Sequence, residues 1–120
     1  MIWGGMNDLA PEALELVAQR FRVLADPLRL RLLQLLVGGR RNVTELTSRL
    51  ATTQPNVSKQ LRVLQQAGFV GRRAEGNNAY WFVADSSVFE LCDLVCSRLQ
   101  ARLTSHARLL SPARRRKART

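Results

Sequence analysis

The residues best equipped for chemistry fall in two places. The first is the run Thr53-Gln54-Pro55-Asn56-Val57-Ser58-Lys59-Gln60-Leu61-Arg62. Gln and Asn side chains pair bidentately with adenine, Lys and Arg with guanine or a phosphate, and Ser with phosphate, all from the first turns of a helix laid in a major groove. On a helical wheel Val57, Leu61 and Leu64 make a core stripe, and Asn56, Lys59, Arg62 and Gln66 stand opposite it with Ser58 beside them. The second place is Cys92 and Cys96, which share one face of a helix if the segment is helical. Thiolates suit soft ions, so As(III), Sb(III) or a thiophilic divalent metal would be the matching ligands. A disulfide between these two is disfavoured, because residues at that spacing hold their Cβ atoms about 6 Å apart, beyond the roughly 4.5 Å a bridge allows. No Gly-rich phosphate loop occurs, no Ser/His/Asp or Cys/His set has an orienting partner, and the basic segment is poor in carboxylates, so no enzyme is expected.

The elements that must position these residues follow from periodicity. Leu14, Val17, Ala18, Phe21 and Leu24 recur at three- and four-residue steps, predicting an amphipathic helix over 11–24 with Pro11 in its first turn. Asp26-Pro27 reads as N-cap and first residue of a second helix, with Leu28, Leu32, Leu35 and Leu36 as its buried stripe and Gly38-Gly39 as its end. Thr44-Glu45 opens a short third helix through Leu50. The segment 51–54 is a tight turn into Pro55, and a fourth helix runs to Gly68, which supplies a left-handed C-terminal position. The period then changes. Phe69 to Ala74 and Ala79 to Ala84 read as strands joined by the turn Glu75-Gly76-Asn77-Asn78. After Asp85-Ser86-Ser87 helical periodicity returns from Val88 to about His106, and a basic tail over 111–120 is expected to be disordered.

Charge is spread unevenly along the 120 residues, which carry 19 Lys+Arg against 9 Asp+Glu. Residues 40–73 hold Arg40, Arg41, Arg49, Lys59, Arg62, Arg72 and Arg73 against Glu45 alone, whereas 1–19 carry only acids. A folded basic segment between neutral or acidic helices implies a polyanion held on one face, most often nucleic acid. Two helices joined by a tight turn, the second polar on its outer face, satisfy the helix-turn-helix pattern, and Arg72, Arg73, Asn77 and Asn78 resemble a wing beside it. One domain is expected over 1–110. There is no apolar run long enough to span a bilayer and no signal-peptide pattern at the start, so a cytoplasmic, nucleoid-associated protein with no membrane partner is expected.

FRVLADPLRLRLLQLL, VTELTSRLATTQPNVSKQLRVLQQAGFV and GRRAEGNNAYWFV together closely resemble the ArsR/SmtB family of bacterial winged helix-turn-helix repressors, over about residues 14–104. The resemblance implies a mainly α fold of five helices plus a wing, a homodimer through the first and last helices, and a double-stranded operator of two-fold symmetry. With the polar face of the fourth helix and the wing read as above, DNA contact is expected at Thr53, Gln54, Asn56, Ser58, Lys59, Gln60, Arg62, Arg72, Arg73 and Asn77. At Gln60 the family commonly has His, so a titrating contact is not expected there.

The family's sensor sites are where the chain departs. The Cys-rich stretch of metalloid-sensing members corresponds to VTELTSRL, without cysteine, and the Asp-X-His start of the zinc site in the last helices corresponds to Asp85-Ser86-Ser87, with Arg98 in place of the later His. Cys92 and Cys96 remain, in a stripe with Val88, Val95, Leu99 and Leu103. Two readings stand: small apolar residues packing a dimer seam, or a site where two chains present up to four thiolates to a metalloid, soft metal or oxidant. A repressor without a cysteine effector and a winged-helix protein-interaction module are the rival functions. Against the second, an interaction surface would expose aromatic or aliphatic anchors where this chain has a polar, basic face.

Overall fold

The computed structural model describes residues 8–110. Five helices and one hairpin follow in order: α1 Pro11–Leu24, α2 Pro27–Leu36, α3 Val43–Thr47, α4 Gln54–Gln66, β1 Val70–Glu75, β2 Asn78–Val83 and α5 Ser87–Leu110. The described residues divide into two compact units, one ending at Asp85 and one beginning at Ser86 and consisting of α5. The expected tail over 111–120 lies outside the described residues.

Within the first unit the caps are written in the sequence. Asp26 accepts the Arg29 backbone N–H at 3.0 Å, with Pro27 at the first helical position where no N–H is needed. α3 starts one residue earlier than Thr44-Glu45 implied and ends at Thr47, short of Leu50. The early start comes from a capping box: Asn42 accepts the Glu45 N–H at 2.8 Å, and the Glu45 carboxylate accepts the Asn42 N–H at 2.9 Å. Thr53 caps α4 by accepting the Asn56 N–H at 3.3 Å, so the helix begins at Gln54, inside the expected turn. Gly68 takes φ +87°, the left-handed conformation expected of it.

The core lies where α2, α4 and β2 meet, with α3 packed on α4. Leu32, Leu33, Leu46, Val57, Leu61 and Leu64 are all but inaccessible, and Phe69, Val70 and Trp81 close the floor. The α2 stripe differs from the expected one: Leu28 is half-buried and Leu33 joins the core. A helix packed against α1, α4 and β2 together is covered on more than one side, and a single-stripe reading misses its second face.

The hairpin is antiparallel, with Val70 opposite Val83, Arg72 opposite Trp81 and Glu75 opposite Asn78. Its strands reach Glu75 and Asn78, so the loop is Gly76-Asn77 rather than the four residues expected. Arg41 adds a third backbone segment, exchanging N–H and carbonyl bonds with Trp81 at 2.8 and 3.0 Å. Gly71 is required by close approach. It faces Phe82, and a Cβ there would stand 2.6 Å from the ring.

Candidate nucleic-acid interface

α3, the turn 48–53 and α4 form the helix-turn-helix, and the hairpin follows directly from the C-terminal end of α4. The core stripe Val57, Leu61 and Leu64 turns Gln54, Lys59, Arg62, Gln65 and Gln66 outward, and all five are exposed. Asn56, Ser58 and Gln60 are half-buried, on the flank of that face rather than at its crest. Gln54 reaches back to α3, its amide donating to the Thr44 hydroxyl at 3.4 Å. The Thr53 oxygen is engaged as the cap, which leaves its hydroxyl proton free to donate outward.

Asn56 and Gln60 are more committed than their residue types imply. The Gln60 amide donates to Asn56 Oδ1 at 3.2 Å, the Asn56 amide donates to Thr52 Oγ1 at 2.9 Å, and Gln60 Oε1 accepts from Arg29 at 2.7 Å. Each carboxamide keeps one N–H for an outside partner.

In the wing, alternation along β1 sends Arg72 and Arg73 to opposite faces of the hairpin. Both are exposed, as are Asn77 at the tip and Asn78 beside it. Arg73 shares its face with Tyr80, against which Arg40 packs with its guanidinium carbon 4.3 Å from the ring centroid. Arg40 also donates to the Glu75 carboxylate. That hydrogen bond holds the Glu75 carboxyl below its ordinary value and raises the Arg40 guanidinium above its own. Arg41 is spent internally, its Nε donating to the Leu35 carbonyl at 2.8 Å at the end of α2. Of the basic residues in 40–73, Arg49, Lys59, Arg62, Arg72 and Arg73 are therefore exposed without an ion pair among the described residues, while Arg40 is neutralised.

Sequence reasoning did not single out Arg29, and it counted Arg40 only as one charge of the basic segment, without its partners Glu75 and Tyr80. Arg40 stood in the sequence beside Arg41 after two glycines, a visible charge with no periodic context. Its pairing with Glu75 depends on the hairpin returning to the α2–α3 connection, which no local pattern encodes.

On α5, Cys92 is half-buried and Cys96 exposed, and both thiols are free. Burial pushes the Cys92 thiol above its ordinary value, with Cys96 and Asp93 adding to the rise. No group of three or more His, Cys, Asp or Glu that could hold a metal occurs among the described residues. One chain thus offers at most two soft ligands here. No helix among the described residues is long and apolar enough to cross a membrane.

A short helix and a polar-faced second helix set on a shared core, with a basic hairpin attached, define a winged helix-turn-helix DNA-binding protein. A helix-turn-helix domain model matches residues 24–73. An uncharacterized HTH-type transcriptional regulator of Mycobacterium tuberculosis is 39% identical over 92 residues, covering 76% of this chain and 80% of that one. A transcriptional repressor SmtB homolog of Synechocystis is 34% identical over 100 residues, 79% of this chain and 76% of the relative. Among solved structures, a homodimeric winged helix-turn-helix DNA-binding domain from Mycobacterium bovis, described as a possible ArsR-family transcriptional regulator, superposes with a TM-score of 0.69 at 30% identity. It covers 78% of this chain and 86% of that one. The chain belongs to the ArsR/SmtB family of winged helix-turn-helix transcriptional regulators, and it is a DNA-binding regulator, not an enzyme.

Proposed function

We propose that this chain is a homodimeric repressor that binds a two-fold symmetric operator, with α4 in the major groove and the hairpin against the flanking backbone. The observation that carries this reading is the outward face of α4, where Gln54, Lys59 and Arg62 stand clear of the core stripe beside the unpaired Arg72 and Arg73 of the wing. A hairpin laid edge-on along a groove meets a phosphate row on each side, so arginines on opposite faces can each take one. Thr53, Gln54, Asn56, Ser58, Lys59 and Gln60 supply base and backbone contacts from the first turns of α4, and Asn77 reaches from the wing tip.

The dimer is supported by apolar surface that one chain leaves in water. Leu14, Leu16 and Phe21 on α1 are exposed, as are Leu94, Val95, Leu99 and Leu103 on α5, and all but Leu14 are more than half exposed. Stripes of this kind at helical spacing mark association surfaces. Cys92 and Cys96 lie on α5 with that stripe, and in a dimer two copies would bring up to four thiols to the seam. We infer that a thiophilic ion, As(III), Sb(III) or a soft divalent metal, or an oxidant acting between chains, is the signal that lowers operator affinity. Such a signal acts only by binding two quaternary states unequally.

The test is a set of anisotropy titrations of the full chain against duplexes from its own upstream region and an unrelated duplex, with and without arsenite or cadmium. Preferential binding of a symmetric site, with half-sites about 10 base pairs or a multiple apart, is the expected result. Equal affinity for every duplex removes the repressor reading. Operator affinity that persists through thiophilic ions and peroxide returns both cysteines to packing.

A further inference from the structure

Polar contacts in series run from the end of α1 to the start of α4. Arg29, half-buried on α2, donates from Nε to the Val23 carbonyl at 2.6 Å at the end of α1, and from Nη2 to the Arg22 carbonyl at 3.4 Å, which it shares with the Ala25 N–H. Its Nη1 donates to Gln60 Oε1 at 2.7 Å, Gln60 Nε2 donates to Asn56 Oδ1 at 3.2 Å, and Asn56 Nδ2 donates to Thr52 Oγ1 at 2.9 Å. Thr52 precedes the N-cap residue of α4, so the series ends where the helix enters its site.

Donor and acceptor capacity gives this series a direction. A guanidinium has five donors and no acceptor, whereas a carboxamide satisfies either role by turning over. Facing Arg29, Gln60 must present its oxygen. Its amide nitrogen then faces Asn56, which must present its own oxygen and turn its nitrogen to Thr52. Without Arg29 the order is free to reverse, because the Thr52 hydroxyl donates as readily as it accepts. Direction matters to a base edge, since adenine offers N6–H as donor and N7 as acceptor in a fixed arrangement, and a reversed carboxamide meets each with the wrong partner.

We propose that Arg29 is a specificity-determining positioning residue: it fixes the amide orientation of Gln60 and, through Gln60, of Asn56, so that what α4 offers to a base edge is set from α2 and the end of α1. The inference rests on α4 being the helix that reads bases. It makes Gln60 first an orienter of Asn56 and only then a DNA contact. It also makes α1, whose exposed apolar stripe marks it for the dimer, mechanically continuous with the recognition surface.

The experiment compares the full chain with Arg29→Gln, Gln60→Met and the double variant. Each is titrated against the preferred duplex, its single-base-pair variants and an unrelated duplex, at two salt concentrations. Arg29→Gln replaces a donor-only group with one that takes either role, and Gln60→Met breaks the series while leaving Arg29 on the α1 carbonyls. Each single variant is expected to lose about tenfold in preference over the unrelated duplex, a loss confined to one or two base pairs, with non-specific affinity and salt slope unchanged. The double variant should lose no more than either single one, because both act along one path. Uniform weakening with a shallower salt slope in Arg29→Gln would make Arg29 a phosphate anchor and overturn the proposal. So would intact preference accompanied only by a lower melting temperature, and if Arg29→Gln does not fold, Arg29→Met, which keeps an unbranched stem and removes the donors, decides on the same criteria. A wild type that binds every duplex alike removes the base-reading role of α4 and the proposal with it, whereas preference kept in both wild type and variants removes only the role of Arg29.

Discussion

Removing Arg72 is the most direct probe of the wing, and its consequence can be worked from the charge inventory. Lys59, Arg62, Arg72 and Arg73 are the exposed, unpaired cations of α4 and the wing, while Arg40 is held by Glu75 and Arg41 by the Leu35 carbonyl. Four phosphate contacts per protomer give about eight in a dimer, hence a slope of log affinity on log salt of about −7, and a loss of about 10⁴-fold between 50 and 200 mM salt. Arg72→Ala removes one contact from each protomer. The slope should fall to about −5.4 and the same salt step should cost only about 2 × 10³-fold, equally for operator and unrelated duplex. Glu75→Gln is the opposite perturbation: it frees Arg40, so the slope should steepen by roughly as much. The assay is fluorescence anisotropy over a salt series at constant pH. If Arg72→Ala leaves the slope unchanged, or weakens one operator variant more than another, Arg72 is no backbone anchor. If Glu75→Gln fails to steepen the slope, then Arg40 lies away from the phosphates, and the neutralisation described at the wing has no bearing on binding.

The remaining predictions test the fold and the cysteines. Gly71→Ala places a Cβ about 2.6 Å from the Phe82 ring, so the ring or the strand must shift, and thermal unfolding should show a loss of about 1–3 kcal/mol; an unchanged melting temperature would mean the wing yields freely at that point. For the thiols, burial holds the Cys92 proton above the ordinary thiol range, so a metal must displace a proton that is more tightly held than usual. Metal affinity and metal-induced release should therefore increase as pH rises from neutral toward the raised thiol value, and decrease below it. The measurement is cadmium–thiolate absorbance alongside operator release across that range, with Cys92→Ser as control, and a pH-independent response would exclude Cys92 as a ligand.

Much of the DNA-reading unit was legible because its determinants are local. Asp26-Pro27, Thr53-Gln54-Pro55 and Gly68 each impose a backbone conformation or satisfy an end group within a few residues, and the stripe Val57, Leu61, Leu64 is a period that survives any tertiary context. Errors fell where two local signals competed. Thr44-Glu45 looked like a helix start because Glu is common in a first turn, but Asn42 three residues before Glu45 closes a reciprocal pair of bonds that Thr44 cannot. Leu33 was lost for a different reason. Periodicity finds the face that repeats, and α2 has neighbours on more than one side.

The polar side chains were legible by type and illegible by commitment, and under the proposed function that difference bears on how α4 would choose a base. Asn56 and Gln60 read alike in the sequence as free carboxamides, yet one is bonded to the residue before the helix cap and the other to an arginine 31 positions away. A carboxamide free in solution offers a base either order of donor and acceptor and must lose that freedom on binding. One already held by a donor-only partner has lost it in the folded chain, so less is lost at the groove and the wrong base meets a mismatched pair. Lys59 and Arg62 have no such partner among the described residues. The α4 face therefore combines oriented amides on its half-buried flank with unrestrained cations at its crest. The first are suited to choosing a base, the second to finding a phosphate wherever the backbone runs.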